Sequence, residues 1–258
     1  MTVSMEVAVA ASEGLPKVKA AQYHAPSREE HLPFTVSIAS TQSQLQKAVA
    51  LRHAAYARHV PEFAAKLTEP ENADFDPGTI VLIAESKLDG SALGTMRIQT
   101  NQFAPLNLES SVTLPEWLEG FELAEATRLG IIEGPTGRLV KTVLFKAYFL
   151  YCQSAKIDWM VITARKPLDR QYDALLFQDV FATKCFIPMR HVGGMPHRVM
   201  AFNIPTAELR WKAAHHPLHG FMCLTAHPDI NVHHDIFDQL SIRVAGSLES
   251  RTRINPRI

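Results

Sequence analysis

The stretch F-E-L-A-E-A-T-R-L-G-I, Phe121–Ile131, decides how the rest of the chain is read. Alternation along a strand puts Phe121, Leu123, Glu125 and Thr127 on one face. Glu125 is thereby expected among apolar neighbours. Burying a carboxylate costs roughly several kcal/mol unless it is paired or protonated. Arg128 follows three residues later, on the opposite face of a regular strand. A bulge would bring both to one side, and Gly130 permits the irregular backbone this needs. An isolated E-x-x-R carries little meaning, so its interpretation rests on the flanking elements.

On the C-terminal side, Ile132–Gly137 (I-E-G-P-T-G) leads into a helix expected over Arg138–Ser154. A strand, a glycine turn and a helix N-terminus offer free N–H groups to a phosphate. No G-K-[ST] is present, so this is not a Walker loop. Arg138 and Lys141 are expected in the first turn, where cations oppose the helix dipole. That placement suits either an external anion or two solvated charges. Ile157–Arg165 reads as a buried strand. A helix is expected over Leu168–Thr183, then short strands at Phe186–His191 and Val199–Ile204.

On the N-terminal side, Thr79–Ser86 and Ser91–Thr100 flank Asp89-Gly90, a hairpin signal. Leu93, Thr95, Arg97 and Gln99 share one face of the second strand. Phe34–Ala39 is a plausible first strand. Thr41 or Ser43 can cap the helix that follows, on which Leu45, Ala48, Val49, Arg52 and Tyr56 form one stripe. Arg52 either snorkels past the core to water or joins a buried charge cluster. Val60–Asn72 suits a mobile loop. Asn101–Gly120 is expected as a loop in which Trp117 and Leu118 could cover a cleft. The order β, α, β-hairpin, β, α, β, α, β, β implies an α/β class: a mixed sheet with helices on both faces.

The chain has 258 residues, 47% of them apolar, enough for one large core. Lys+Arg and Asp+Glu are both 26, and no basic face is evident, which argues against a nucleic-acid binder. No apolar stretch is long enough for a transmembrane segment. The start lacks the features of a signal peptide, and Cys152, Cys185 and Cys223 read as reduced thiols, so a cytoplasmic setting is expected. Residues 1–33 read as a loosely ordered tail and 206–258 as a C-terminal extension to a 34–205 domain. Six histidines fall between His215 and His234 without a firm metal-ligand spacing, so no metal site is assigned.

Five strings, L-R-H-A-A-Y (Leu51–Tyr56), D-F-D (Asp74–Asp76), L-G-T-M-R-I (Leu93–Ile98), E-A-T-R-L-G-I (Glu125–Ile131) and Ile157–Arg165, occur in an order that resembles the acyl-transferring branch of the GNAT superfamily. The resemblance is to long-chain N-acyl amino acid synthases, relatives of the acyl-homoserine-lactone autoinducer synthases, and covers about residues 34–205. It implies a GNAT-like sheet splayed between Phe121–Ile131 and Ile157–Arg165, with the thioester arm in the gap. It implies catalytic roles for Glu125 and Arg128, and substrate-binding roles for Arg52, Tyr56, Asp76 and Arg97. Leu129, Gly130, Ile131, Arg138 and Lys141 would bind the acyl donor. Ala73 departs from the family string, where a first acid would stand; Asp74 is the neighbouring acid.

The implied reaction is N-acyl transfer from an acyl thioester, on acyl carrier protein or CoA, to the amine of an amino acid, with no tightly bound cofactor. E-G-P-T-G-R departs from the usual CoA pyrophosphate signature, which favours a carrier-protein partner. Glu125 is the candidate base, and a backbone N–H near Leu129–Ile131 the candidate oxyanion donor. Two alternatives stand beside this one: an autoinducer synthase using S-adenosylmethionine, and a non-catalytic protein that binds an acyl chain or acyl carrier protein. The charge cluster could equally be a structural ion-pair network. The stripe Leu144, Phe145, Tyr148 and Phe149 could line an acyl tunnel or simply be core.

Overall fold

A computed structural model describes residues 26–181 and 184–232. In chain order its strands are β1 (Arg28–Glu29), β2 (Phe34–Ile38), β3 (Thr79–Ser86), β4 (Ala92–Thr100), β5 (Leu123–Ile131), β6 (Trp159–Ala164), β7 (Gln178–Asp179), β8 (Ile187–Met189), β9 (Met195–Asn203), β10 (Thr225–Ala226) and β11 (Ile230–Asn231). The helices are α1 (Gln42–Ala57), α2 (Pro61–Ala64), α3 (Gly134–Ser154), α4 (Asp169–Ala174) and α5 (Ala207–Ala213). The main sheet runs β11-β2-β3-β4-β5-β6-β9-β7, with β8 paired to β9. The α/β class and mixed sheet expected from sequence are therefore observed.

The two faces of the sheet differ in chemistry. One packs Phe34, Val36, Leu82, Met96, Ile98, Met160 and Ile162 against Val140, Leu144, Tyr148 and Phe149 of α3. The stripe on α3 is thus core: Leu144 and Tyr148 have no exposed surface. The other face packs Val81 and Ile83 against α1, and Leu123, Trp159 and Val161 against the 106–118 segment. Between those two apolar patches it carries Thr95, Arg97, Gln99, Glu125 and Thr127, all buried. Capping fixes α1 above this face, since the Thr41 hydroxyl accepts the Gln44 N–H at 3.2 Å.

The bulge inferred for β5 is present. Pairing with β4 jumps from Thr95–Gly130 to Arg97–Thr127. Arg128 takes up the extra residue at φ 55°, a left-handed conformation uncommon for a residue with a Cβ. Parallel pairing of β5 with β6 stops at Ala126–Ile162. Beyond that point the two strands part, and the β6-facing edge of β5 is unpaired.

Several local expectations change. The helix expected over 168–183 is short, α4 followed by β7, because Arg198 of β9 ties Asp173 and Asp179 side by side at 2.9 Å each. Helix α3 begins at Gly134, not Arg138, with Pro135 pre-set for its first turn. The loop at 101–120 is held down by buried Leu106, Leu108 and Leu118. Trp117 stacks edge-on over Trp159 at 5.2 Å.

Residues 1–25 and 233–258 lie outside the described part, including His233 and His234. Residues 26–33, assigned from sequence to a tail, are tied down: β1 pairs with β10, and the Leu32 N–H donates to Asp229 at 2.7 Å. The described part of the extension, 206–232, joins the main core. Trp211 is fully buried and stacks on Phe202 at 4.9 Å. Lys146 of α3 donates to the Phe221 carbonyl at 2.6 Å, and its Nζ lies 2.8 Å from His227 Nδ1. Strand β11 then pairs with the outer edge of β2. Among the described residues no helix is long and apolar enough to cross a membrane, and no group of three or more His, Cys, Asp or Glu could hold a metal ion.

Candidate active site

The segment before β3 supplies two acids to the polar face. Glu71 and Asp74 close a capping box around a single turn, the Glu71 N–H donating to Asp74 at 2.9 Å. Asp74 takes both terminal nitrogens of Arg52 at 3.0 Å each. Glu71 takes Arg128 Nε at 2.6 Å and Nη2 at 2.7 Å, and Arg97 Nη1 at 3.1 Å. Arg97 Nε donates to Thr127 at 3.2 Å. Burial alone would raise the Glu71 pKa; its hydrogen bonds to Arg128 and the charges of Arg128, Arg97 and Arg52 outweigh that and hold it below the ordinary carboxylate value. The left-handed backbone at Arg128 aims its guanidinium at this acid, and the fork–carboxylate pair opposes the conformational cost.

Arg52 therefore does not snorkel: its side chain is fully buried and paired. Asp76, expected in the cluster, is exposed, and its carbonyl accepts the Thr79 N–H. It falls outside because Phe75 ends the capped turn and the chain swings outward before β3. Glu71, within the stretch expected as a mobile loop, takes the central place. Its only sequence signal is the E-N-A-D spacing of a capping box.

Glu125 lies opposite Gln99 on β4 and has no exposed surface. One carboxylate oxygen accepts the Leu108 N–H at 3.1 Å; the other, Oε1, has no hydrogen-bond partner. Burial raises its pKa to about 7, against the opposing pull of the Leu108 hydrogen bond and the charges of Arg97 and Arg128. His191, after β8, brings Nε2 to 3.8 Å from Glu125 Oε1 and 3.3 Å from Thr163 Oγ1. Its side chain is 7% exposed and its Nδ1 has no partner. Burial, reinforced by the Arg128 charge, lowers the His191 pKa to about 4. The imidazole is thus neutral at pH 7, beside an acid poised to titrate.

Two clefts meet at His191. The first, about 150 Å³, opens where β5 and β6 part. Its walls include Tyr56, Thr127, Arg128, Leu129, Thr163 and His191. The second, about 440 Å³, lies toward the 104–110 segment, with Asp76, Gln99, Asn107, Glu109 and His191 in its walls. Glu125 lines neither cleft, while His191, 3.8 Å from it, lines both.

The expected donor residues are scattered. Leu129 lines the first cleft. Gly130 is pressed against α1: a Cβ there would lie 3.1 Å from the Arg52 Cα. The Ile131 carbonyl accepts Arg58 at 2.7 Å. Arg138 is exposed on α3, and Lys141 donates to Gln171. Because α3 starts four residues earlier than expected, both cations sit beyond its first N–H groups. At that N-terminus Glu133 makes no side-chain cap. A Cβ on Gly137 would approach the Ile132 carbonyl to 1.9 Å, so the turn tolerates no side chain.

No family model matches the chain, and no curated protein matches its sequence. Among solved structures it is similar to FeeM, an N-acyl amino acid synthase from uncultured soil microbes, with a TM-score of 0.54 and 18% identity over 73% of this chain and 97% of that one. It is also similar to BjaI, a CoA-dependent acyl-homoserine lactone synthase with SAM and isopentyl-CoA, with a TM-score of 0.50 and 12% identity over 82% of this chain and 99% of that one. At these identities the likeness establishes the fold alone, the GNAT-like fold expected from the five sequence strings.

Proposed function

We propose that the chain is an N-acyltransferase that moves a long-chain acyl group from a thioester to the α-amine of an amino acid. The observation that carries this is His191, which faces both clefts while backed by a buried acid of raised pKa. The donor arm would enter the first cleft, where β5 leaves an unpaired edge for the thioester oxygen near Leu129. Acyl carrier protein is the favoured donor, with CoA the other, and Arg138, exposed one turn into α3, would meet its phosphate. A cytoplasmic setting, where such thioesters are made, fits the three free cysteines.

In this reading the acceptor nitrogen attacks the thioester carbon. Its proton passes to His191 Nδ1 while the Nε2 proton passes to Glu125, so the imidazole stays neutral. The C–S bond breaks, the proton returns to the leaving thiolate, and an amide and a thiol result. The 3.8 Å gap between His191 and Glu125 needs a shift of about 1 Å to become a hydrogen bond, and such distances tighten when substrate binds. Arg52, Arg97, Glu71 and Asp74 hold the strand bulge and helix in place, and Arg128 and Tyr56 form the donor wall.

Mass spectrometry of organic extracts from expressing cells tests the reading. An N-acyl amino acid is expected with the wild type and is expected to disappear with Glu125→Gln and His191→Asn. Folded protein that yields no acylated amine and releases no thiol from acyl-CoA or acyl carrier protein would overturn it.

A further inference from the structure

The second cleft has a chemistry of its own. Its walls carry two carboxylates, Asp76 and Glu109, the amides of Gln99 and Asn107 and the hydroxyl of Ser110, with no Lys or Arg among them. The amides are pre-oriented: Asn107 donates to Gln99 Oε1 at 2.6 Å, and Gln99 donates to the Pro105 carbonyl at 3.3 Å. Glu109, a lining residue, holds the Leu106 N–H at 2.8 Å with one oxygen. The nearby guanidinium groups of Arg52 and Arg97 are buried and held by Glu71 and Asp74, so they do not neutralise this wall. At its inner end lies His191, more than nine-tenths buried, with an unpartnered Nδ1.

We propose that this cleft is the acceptor site and that it takes an amine bearing a second positive charge, a basic amino acid or a diamine. The proposal rests on the transferase reading for the chemistry, but binding tests it independently. The attacking nitrogen sits at His191, and the remote cation sits between Asp76 and Glu109. The exposed Asp76 and half-buried Glu109 attract such a cation, and the amides donate and accept along its chain. A neutral side chain of equal length would bring neither carboxylate a cation.

The test uses the full chain and two matched pairs of probes: cadaverine against n-pentylamine, and L-lysine against L-norleucine. Calorimetry is expected to show each dicationic or basic probe binding at least about tenfold more tightly than its partner. Asp76→Asn and Glu109→Gln are each expected to cut that ratio about tenfold, and added salt to lower it. Asp76 is exposed, so its variant tests the site with little effect on folding. Equal affinity within both pairs, or a ratio unchanged in both variants, would overturn the proposal. Thiol release from acyl thioesters is measured separately. Cadaverine or lysine binding with no thiol release would uphold the site and overturn the transferase reading. Thiol release favoured by the neutral amines would do the reverse.

Discussion

Replacing Glu125 with Gln should make the protein more stable at high pH while stopping the chemistry. The folded carboxyl titrates near 7 instead of 4.5, because burial penalises its charge. Below 4.5 it is protonated in folded and unfolded chains alike and contributes no pH dependence. Between 4.5 and about 7 the unfolded chain ionises while the folded one stays protonated, so stability falls as pH rises. Above about 7 the whole cost is present. At about 1.4 kcal/mol per pH unit this amounts to about 3 kcal/mol. Gln cannot ionise, and its amide oxygen still accepts the Leu108 N–H. Urea unfolding of the two proteins should therefore give nearly equal free energies at about pH 4, and a variant more stable by about 3 kcal/mol at about pH 8. A difference that stays flat across that range would show that Glu125 titrates normally when folded. It would remove the case for a poised acid behind His191.

Other substitutions probe the frame and the relay. Asp74→Ala removes the bidentate partner of the fully buried Arg52, leaving it the 3.3 Å contact to Glu71, and should lower stability by about 3 kcal/mol, read from the urea midpoint. His191→Asn should slow thiol release by roughly a hundredfold or more while thermal unfolding moves little, since the polar interaction lost is a 3.3 Å contact with Thr163. Gly137→Ala forces a methyl against the Ile132 carbonyl and should cost about 1–3 kcal/mol, while raising the donor KM more than it changes transfer to small acyl thioesters. Lys146→Met strips two carbonyls and His227 of their buried donor. Amide exchange should rise through 220–232 first, with a cost of about 1–3 kcal/mol.

What could be read from the sequence followed the range of the interactions. Alternation placed Glu125 inward and Arg97 on the polar face, because both are set by the pleat of a single strand. Arg128 needed a bulge, and E-x-x-R spacing with a glycine nearby was enough to infer it. The acids were harder. Asp76 looked right within its local string, yet Glu71 and Asp74 do the pairing, because a capped turn three residues long decides which carboxylates point inward. His191 gave no signal: it reaches Glu125 from 66 positions away, through a turn after β8 whose direction depends on β9. The overlong helix assigned to 168–183 failed for the same reason, since Arg198 of β9 draws that chain into an edge.

The placement of β11 has a consequence for handling the chain. A sheet whose outermost strand ends in open N–H and C=O groups is a template for a neighbouring copy. Here Phe34–Ile38 would be that strand, and Ile230–Asn231 occupies its free side. A chain cut before residue 220 would lose both this cover and the Lys146 anchor that carries it. Such a truncation should gain little freedom at the clefts and instead acquire a tendency to associate edge to edge, turning a boundary that looks dispensable into one that keeps the molecules apart.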